Sequence, residues 1–234
     1  MRWVVVVGQA EDMTRSPGAP SPRQDFRDAA DAFVALVRQV PDGAWGAPGL
    51  GVWTVRELVG HTARALSTVE EYLTAPTGPR AGTAVGSTPD PGTATVDAVT
   101  YFRLGRRAGL TNSDAVAERG RAAGRDLGPR PEEAVEQLCE RVLRLVDGTA
   151  DDVVLTSRLS AMRLVDYLPT RTFELIVHGL DLQVSLGLTP GAPPGPLAST
   201  LRIAGDLALD QGLGPRLLLA LTGRAPLPVG TCVL

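Results

Sequence analysis

The sequence predicts a mainly α protein whose helices pack around one core, and three observations predict it. Several long segments place apolar residues at helical spacing, as Phe26, Ala29, Phe33, Leu36 and Val37 do. Helix start signals precede these segments, the sharpest being Thr54-Val55-Arg56-Glu57. Only two short runs, 153–155 and 159–165, favour strand.

Taken in order, the first helix is expected from about Gln24 to Val40, closed by Pro41-Asp42-Gly43. The second begins after Thr54. In that capping box the threonine hydroxyl accepts from the amide three residues on, and Glu57 reaches back to the threonine amide. Its apolar stripe is Val55, Leu58, Val59, Leu66, Val69 and Leu73, and His61 lies on the edge of that stripe, facing the bundle interior. Residues 76–94 are rich in Pro, Gly, Thr and Ala. They read either as a passive surface loop or as a loop that borders a cavity mouth and orders when a bulky ligand binds, in which case Arg80, its only basic residue, would meet a substrate carboxylate. A helical stretch follows over about 94–126, interrupted between Gly109 and Ser113. Pro131 opens a further helix to Val146. The last core helix is expected from Tyr167 to Leu186, with Pro169 in its first turn and Gly187 as the C-terminal cap. One or two helices over 197–221 and a short extended tail complete the chain. The expected division is a disordered leader over 1–22, a helical bundle over 23–190, and a C-terminal extension over 191–234 packed on the bundle.

Composition narrows the function classes. The chain has 234 residues, 44% apolar and 21% charged, which suits a soluble globular domain with a sizeable core. A net charge of −3 offers no basic footprint, so nucleic acid is not an expected partner. No segment is long and apolar enough to span a membrane. The N-terminal run Met1 to Gly8 is too short for a signal-peptide core and lacks the glycines of a dinucleotide fingerprint; Met13 is a plausible alternative start. The two cysteines, Cys139 and Cys232, show no Cys-x-x-Cys spacing and read as free thiols, which suits a reducing cytoplasm.

The candidate chemistry lies on the last core helix. Most of its sides are apolar, but Tyr167, Arg171, Glu174, His178, Asp181 and Ser185 form one continuous polar line. A solvated face would be broader and richer in Lys and Glu, so this narrow line is expected to look into an internal polar cavity. Glu174 and His178 are four apart and point the same way. They read either as a buried polar pair with Arg171 and Asp181 as partners, or as two ligands of a divalent metal. His61, the only other histidine of the chain, is the natural third ligand. Three protein ligands leave a fourth position open, as catalytic metal sites do. Arg171 and Asp181 are then expected to support the ligands or line the pocket.

The segment Trp53-Thr-Val-Arg-Glu-Leu-Val-Gly-His61 resembles the tryptophan–helix–histidine motif of the DinB-like proteins. Tyr167-Leu-Pro-Thr-Arg171-Thr-Phe-Glu174-Leu-Ile-Val-His178-Gly-Leu-Asp181-Leu resembles the second motif of their actinobacterial branch, the mycothiol-dependent maleylpyruvate isomerase family, and Leu219-Ala-Leu-Thr-Gly-Arg224 is similar to a further segment of it. The likeness covers about residues 24–234. It implies a DinB-like four-helix bundle with a short C-terminal helical or extended appendage. His61, Glu174 and His178 would hold a divalent metal, zinc being the expected ion. Tyr167, Arg171, Asp181 and Arg224 would be substrate or supporting residues. The cosubstrate would be mycothiol, activated as a thiolate at or near the metal, and the partner a small-molecule electrophile. The reaction implied is S-transfer or thiol-assisted cis–trans isomerisation in a cytoplasmic monomer or homodimer. The stretch after residue 190 is shorter than the C-terminal domain of the characterised isomerase, so maleylpyruvate itself is not implied. A zinc-dependent hydrolase without thiol, or a non-catalytic metal- or ligand-binding protein, would use the same residues.

Overall fold

The computed structural model describes residues 21–75, 95–109 and 113–234. Most of the expected leader and the expected loop over 76–94, with Arg80, lie outside the described residues. Eight α-helices, a single 3-10 turn (Asp42–Ala44) and one small hairpin are present among those described: α1 (Pro22–Val37), α2 (Val55–Thr74), α3 (Ala98–Arg107), α4 (Ser113–Asp126), α5 (Pro131–Asp147), β1 (Val154–Thr156), β2 (Ala161–Arg163), α6 (Leu164–Ser185), α7 (Pro194–Asp210) and α8 (Gly214–Leu221).

Four helices close into a ring. α1 packs on α6 and α5, and α2 packs on the same two. The fold is therefore the expected four-helix bundle, made by α1, α2, α5 and α6. Phe26, Phe33, Leu58, Leu66, Leu168, Leu175 and Leu182 are fully buried at its centre. α4 covers the outer side of α2, and α7 lies on α6 and α1. α3 joins α6 and α7 through a smaller cluster of Ala98, Phe173, Ile203 and Leu207. No described helix is long and apolar enough to cross a membrane.

The local signals explain the ends. Thr54 caps α2 with the reciprocal capping box: its hydroxyl accepts from the Glu57 amide, and Glu57 accepts from the Thr54 amide at 2.8 Å. α6 ends in a Schellman pair, with Gly187 N–H donating to Val184 at 3.0 Å and Leu188 N–H to Gln183 at 2.9 Å. Gly187 adopts φ +70, which glycine tolerates without a Cβ penalty.

Two of the boundaries that differ from expectation have a clear physical cause. α1 stops at Val37, not Val40, because Val40 precedes Pro41, whose ring disfavours the α region for its neighbour. The amides of Gln39 and Val40 instead close tighter turns on Leu36 and Val37. α6 starts at Leu164, three residues early, so Pro169 lies inside the helix and not in its first turn. The hairpin forces this early start. Antiparallel β1 and β2 deliver the chain to Arg163, and Leu164 N–H donates to Val153 at 2.8 Å. Tertiary anchoring thus overrides the missing hydrogen bond at Pro169.

The approach of α4 to α2 sets the site's second wall. A Cβ on Gly60 would lie 2.3 Å from the Gly124 amide nitrogen, so the two backbones touch where neither residue has a side chain. One turn earlier on α4, Gly120 lies against the Trp53 indole. Trp53 is held there by donation from its ring nitrogen to Ala117 at 3.0 Å.

Candidate metal centre

His61 on α2 and Glu174 and His178 on α6 meet inside the bundle. One ligand atom from each lies within 4.8 Å of the others. The α2–α6 contact achieves this by facing the His61 edge of one apolar stripe toward the polar line of the other helix. The His61 ring centroid is 4.8 Å from that of His178 and 4.4 Å from that of Trp53, so the buried indole packs His61 from behind. Cluster and indole border one cavity of about 440 Å³.

The polar contacts are asymmetric. His178 Nε2 faces a Glu174 carboxylate oxygen at 3.4 Å, and its Nδ1 lies 3.0 Å from the Asp181 carboxylate. His61 Nδ1 is buried and has no hydrogen-bond partner among the described residues. An orphaned imidazole nitrogen, a carboxylate and a carboxylate-backed imidazole form a nitrogen–oxygen–nitrogen donor set that suits zinc or a similar divalent ion. Burying a polar atom without a partner is costly, and a bound cation would remove that cost.

Electrostatics follow from burial and neighbours. Burial and the adjacent His178 push the His61 imidazole down to about 4. Burial alone would raise the Glu174 carboxyl, but hydrogen bonding to His178 and the charge of Arg171 outweigh it and hold it at about 2. Burial would lower His178, but Asp181 and Glu174 outweigh it and raise it to about 9. Without a metal, a proton on His178 therefore occupies the centre of the cluster at neutral pH.

The other expected site residues divide. Tyr167 and Arg171 line the cavity. The Tyr167 hydroxyl donates to Thr68 at 3.1 Å, which fixes its ring beside Arg171. Asp181 lies just behind His178, outside the cavity lining. Arg224 is exposed in the C-terminal tail, where it donates to the Thr222 carbonyl at 3.3 Å, and the structure does not bring it to the cavity.

Sequence reasoning missed most of the cavity wall. Tyr72, Tyr101 and Phe102 line it, as do Arg64, Arg119 and Arg158. Arg64 follows His61 by three residues on α2, so helical spacing could have shown it. The positions of α3 and of the hairpin are tertiary facts with no local signature. Burial and the nearby charges of Arg64 and Arg158 lower Arg119, so this wall is strongly cationic. Neither cysteine lines the cavity; Cys139 is in the core, where burial pushes its thiol up to about 12.

Comparison with known families bears on this arrangement. The description "mycothiol maleylpyruvate isomerase N-terminal domain" matches residues 26–183, which run from within α1 to within α6 and include all three clustered ligands. The chain belongs to this family. The expected resemblance is thereby shown, together with a family link to mycothiol. No curated protein and no solved structure matches the chain.

Proposed function

We propose that this protein is a metal-dependent enzyme that uses a low-molecular-weight thiol, mycothiol, as nucleophile or cofactor, acting as an S-transferase or a thiol-assisted isomerase. The observation that carries the reading is the cluster of His61, Glu174 and His178 on the wall of a cavity of about 440 Å³, within the segment that matches the family. Such a volume is within the range of small-molecule sites. Zinc is the expected ion, held by those three side chains.

A divalent cation bound there supplies a Lewis acid that lowers the pKa of an incoming thiol and favours its thiolate at neutral pH. The protein supplies the rest. Asp181 accepts from His178 Nδ1, which leaves Nε2 as the ligand atom and fixes the ring. Trp53 excludes water from the rear of His61. No protein thiol lines the cavity among the described residues, so the reading requires the nucleophilic sulfur to come from a cosubstrate. The electrophile and the thiol share the cavity, with Arg171 and Tyr167 on its wall.

The test is to incubate zinc-loaded protein with mycothiol and monochlorobimane and follow the fluorescent conjugate. The reading expects turnover that needs both the thiol and the metal and is lost in His178→Ala. Metal uptake without thiol-dependent turnover on any electrophile panel would reject it and leave a binding protein. Turnover of esters or amides in the absence of thiol would identify a hydrolase instead.

A further inference from the structure

Arg171 is a buried cation that no carboxylate of the described residues touches, although the charge of Glu174, one turn along α6, faces it across a longer gap. It is only 8% exposed and lines the metal cavity. Its guanidinium carbon lies 4.9 Å from the Tyr167 ring centroid and 5.6 Å from that of Tyr101. Its Nε donates to the Thr170 hydroxyl at 3.0 Å. Among the described residues no carboxylate forms an ion pair with it. The nearest acidic candidate on its own helix, Glu174, is engaged by His178 at 3.4 Å. Buried charges are ordinarily paired, because isolating one from water costs several kcal/mol or more. Two aromatic rings offset part of that cost. They leave the outer edge of the fork, the two Nη groups, for a planar anion.

The cavity wall is unusually aromatic for this chain. The sequence holds three tryptophans, three tyrosines and four phenylalanines, only 4% of its residues. Trp53, Phe102 and all three tyrosines line this one cavity. A wall that concentrates scarce aromatic residues around one buried arginine fits a ligand that is flat and apolar at one end and anionic at the other.

We infer that Arg171 anchors the carboxylate of an aryl or aryl-conjugated monocarboxylic acid, whose ring packs between Tyr101, Phe102 and Tyr72, and that such acids are the class of second substrate. The inference rests on the thiol-enzyme reading only for calling this ligand a substrate; the site itself is a statement about binding. The guanidinium fork would grip the carboxylate through two parallel hydrogen bonds, a geometry lysine cannot reproduce. Carboxylate and metal ligands share the cavity, so the acid's conjugated carbons lie within reach of a thiol held by the cluster.

The test is calorimetric titration of the full chain with trans-cinnamate, trans-cinnamamide and succinate, carried out on zinc-loaded and on chelator-treated protein. The expected result is cinnamate binding at least tenfold tighter than cinnamamide and than succinate, in both metal states. Arg171→Gln should reduce cinnamate affinity at least tenfold, and Arg171→Lys should restore only part of it. Tyr101→Leu should weaken acid and amide together, because it removes ring contact and spares the fork. Equal binding of acid and amide overturns the inference, as does unchanged affinity in Arg171→Gln. Cinnamate binding that disappears with zinc also overturns it, because the metal and not Arg171 is then the anchor. Succinate binding as tightly as cinnamate removes the aromatic class. If Arg171→Gln does not fold, Arg171→Lys decides against Arg64→Gln and Arg158→Gln, the other cavity arginines: the inference stands if Arg171→Lys alone lowers the acid–amide ratio and falls if either of the others lowers it instead. Carboxylate selectivity without thiol-dependent turnover would remove the enzymatic reading and leave this site standing. Thiol-dependent turnover with no carboxylate selectivity would do the reverse.

Discussion

The Asp181 carboxylate lies 3.0 Å from His178 Nδ1, one turn further along α6, while Nε2 of the same ring faces Glu174. The carboxylate thereby selects which imidazole nitrogen is free to bind a metal. Partners of this kind change metal affinity or activity roughly 10–100-fold when removed. Asp181→Asn keeps the shape and weakens the interaction. It should lower zinc affinity about tenfold or more, as read by competition with a chromophoric chelator, with the folded protein otherwise intact. Unchanged affinity in a well-folded Asp181→Asn variant would reduce this contact to a structural one.

Metal uptake should release a proton. With His178 raised to about 9, His61 lowered to about 4 and Glu174 at about 2, the metal-free cluster carries one ligand proton at neutral pH, on His178. A cation must displace it. Apparent zinc affinity should therefore rise about tenfold for each pH unit up to about 9, and the dependence should steepen below about 4, where His61 also protonates. Calorimetry in buffers of different ionisation enthalpy at pH 7 should count close to one proton per metal. A count of zero would show that the ring is already neutral in the metal-free protein.

How far the site could be read beforehand depended on how local its parts are. Glu174, His178 and Asp181 lie on one helix, so spacing alone fixed their common direction. His61 entered as the only remaining histidine, on the interior edge of a helix whose start was marked by a capping box. The four-helix bundle followed from the two motifs around these residues. The aromatic wall did not, because Tyr101 and Phe102 come from α3, whose docking on α6 and α7 depends on contacts with residues such as Ile203 and Leu207. Arg224 is the opposite case: its motif resembles the family, and the fold leaves it exposed and away from the cavity lining. The start of α6 differs from the expected one because Pro169 resembles a helix-start signal, whereas the β1–β2 hairpin decides where that helix begins.

The α2–α4 contact makes a stability prediction with a functional readout. Gly60→Ala would place a methyl 2.3 Å from the Gly124 amide nitrogen, a backbone atom that cannot step aside without moving α4. Overpacking of this kind typically costs about 1–3 kcal/mol or more. α4 also carries Ala117 and Gly120, which hold and pack the Trp53 indole behind His61. The substitution should therefore lower the melting temperature and weaken metal binding together, and Trp53 fluorescence should shift toward that of an exposed indole. Loss of stability with metal affinity and fluorescence unchanged would show that α4 does not position His61.

The last prediction concerns the pH at which the metal-free protein is most stable. His178 is raised above its ordinary value of 6.5 to about 9, so its contribution is full below 6.5 and is lost as pH rises toward 9. His61 is lowered from 6.5 to about 4, so its neutral, buried form contributes above 6.5 and that contribution is lost as pH falls toward 4. Glu174, lowered from 4.5 to about 2, adds a further loss in acid. The two histidines thus oppose each other across pH 6.5, and their combined contribution peaks there. At about 1.4 kcal/mol for each pKa unit, the fall between pH 6.5 and 9 from His178 reaches about 3 kcal/mol. Denaturant titrations of chelator-treated protein should show that fall. It should be absent in His178→Gln, which has no proton to lose, and in the zinc-loaded protein, where the cation takes the proton's place. An identical alkaline fall in metal-free wild type and in His178→Gln would assign it to groups outside the cluster and would mean that the His178 proton does not help hold the cluster together.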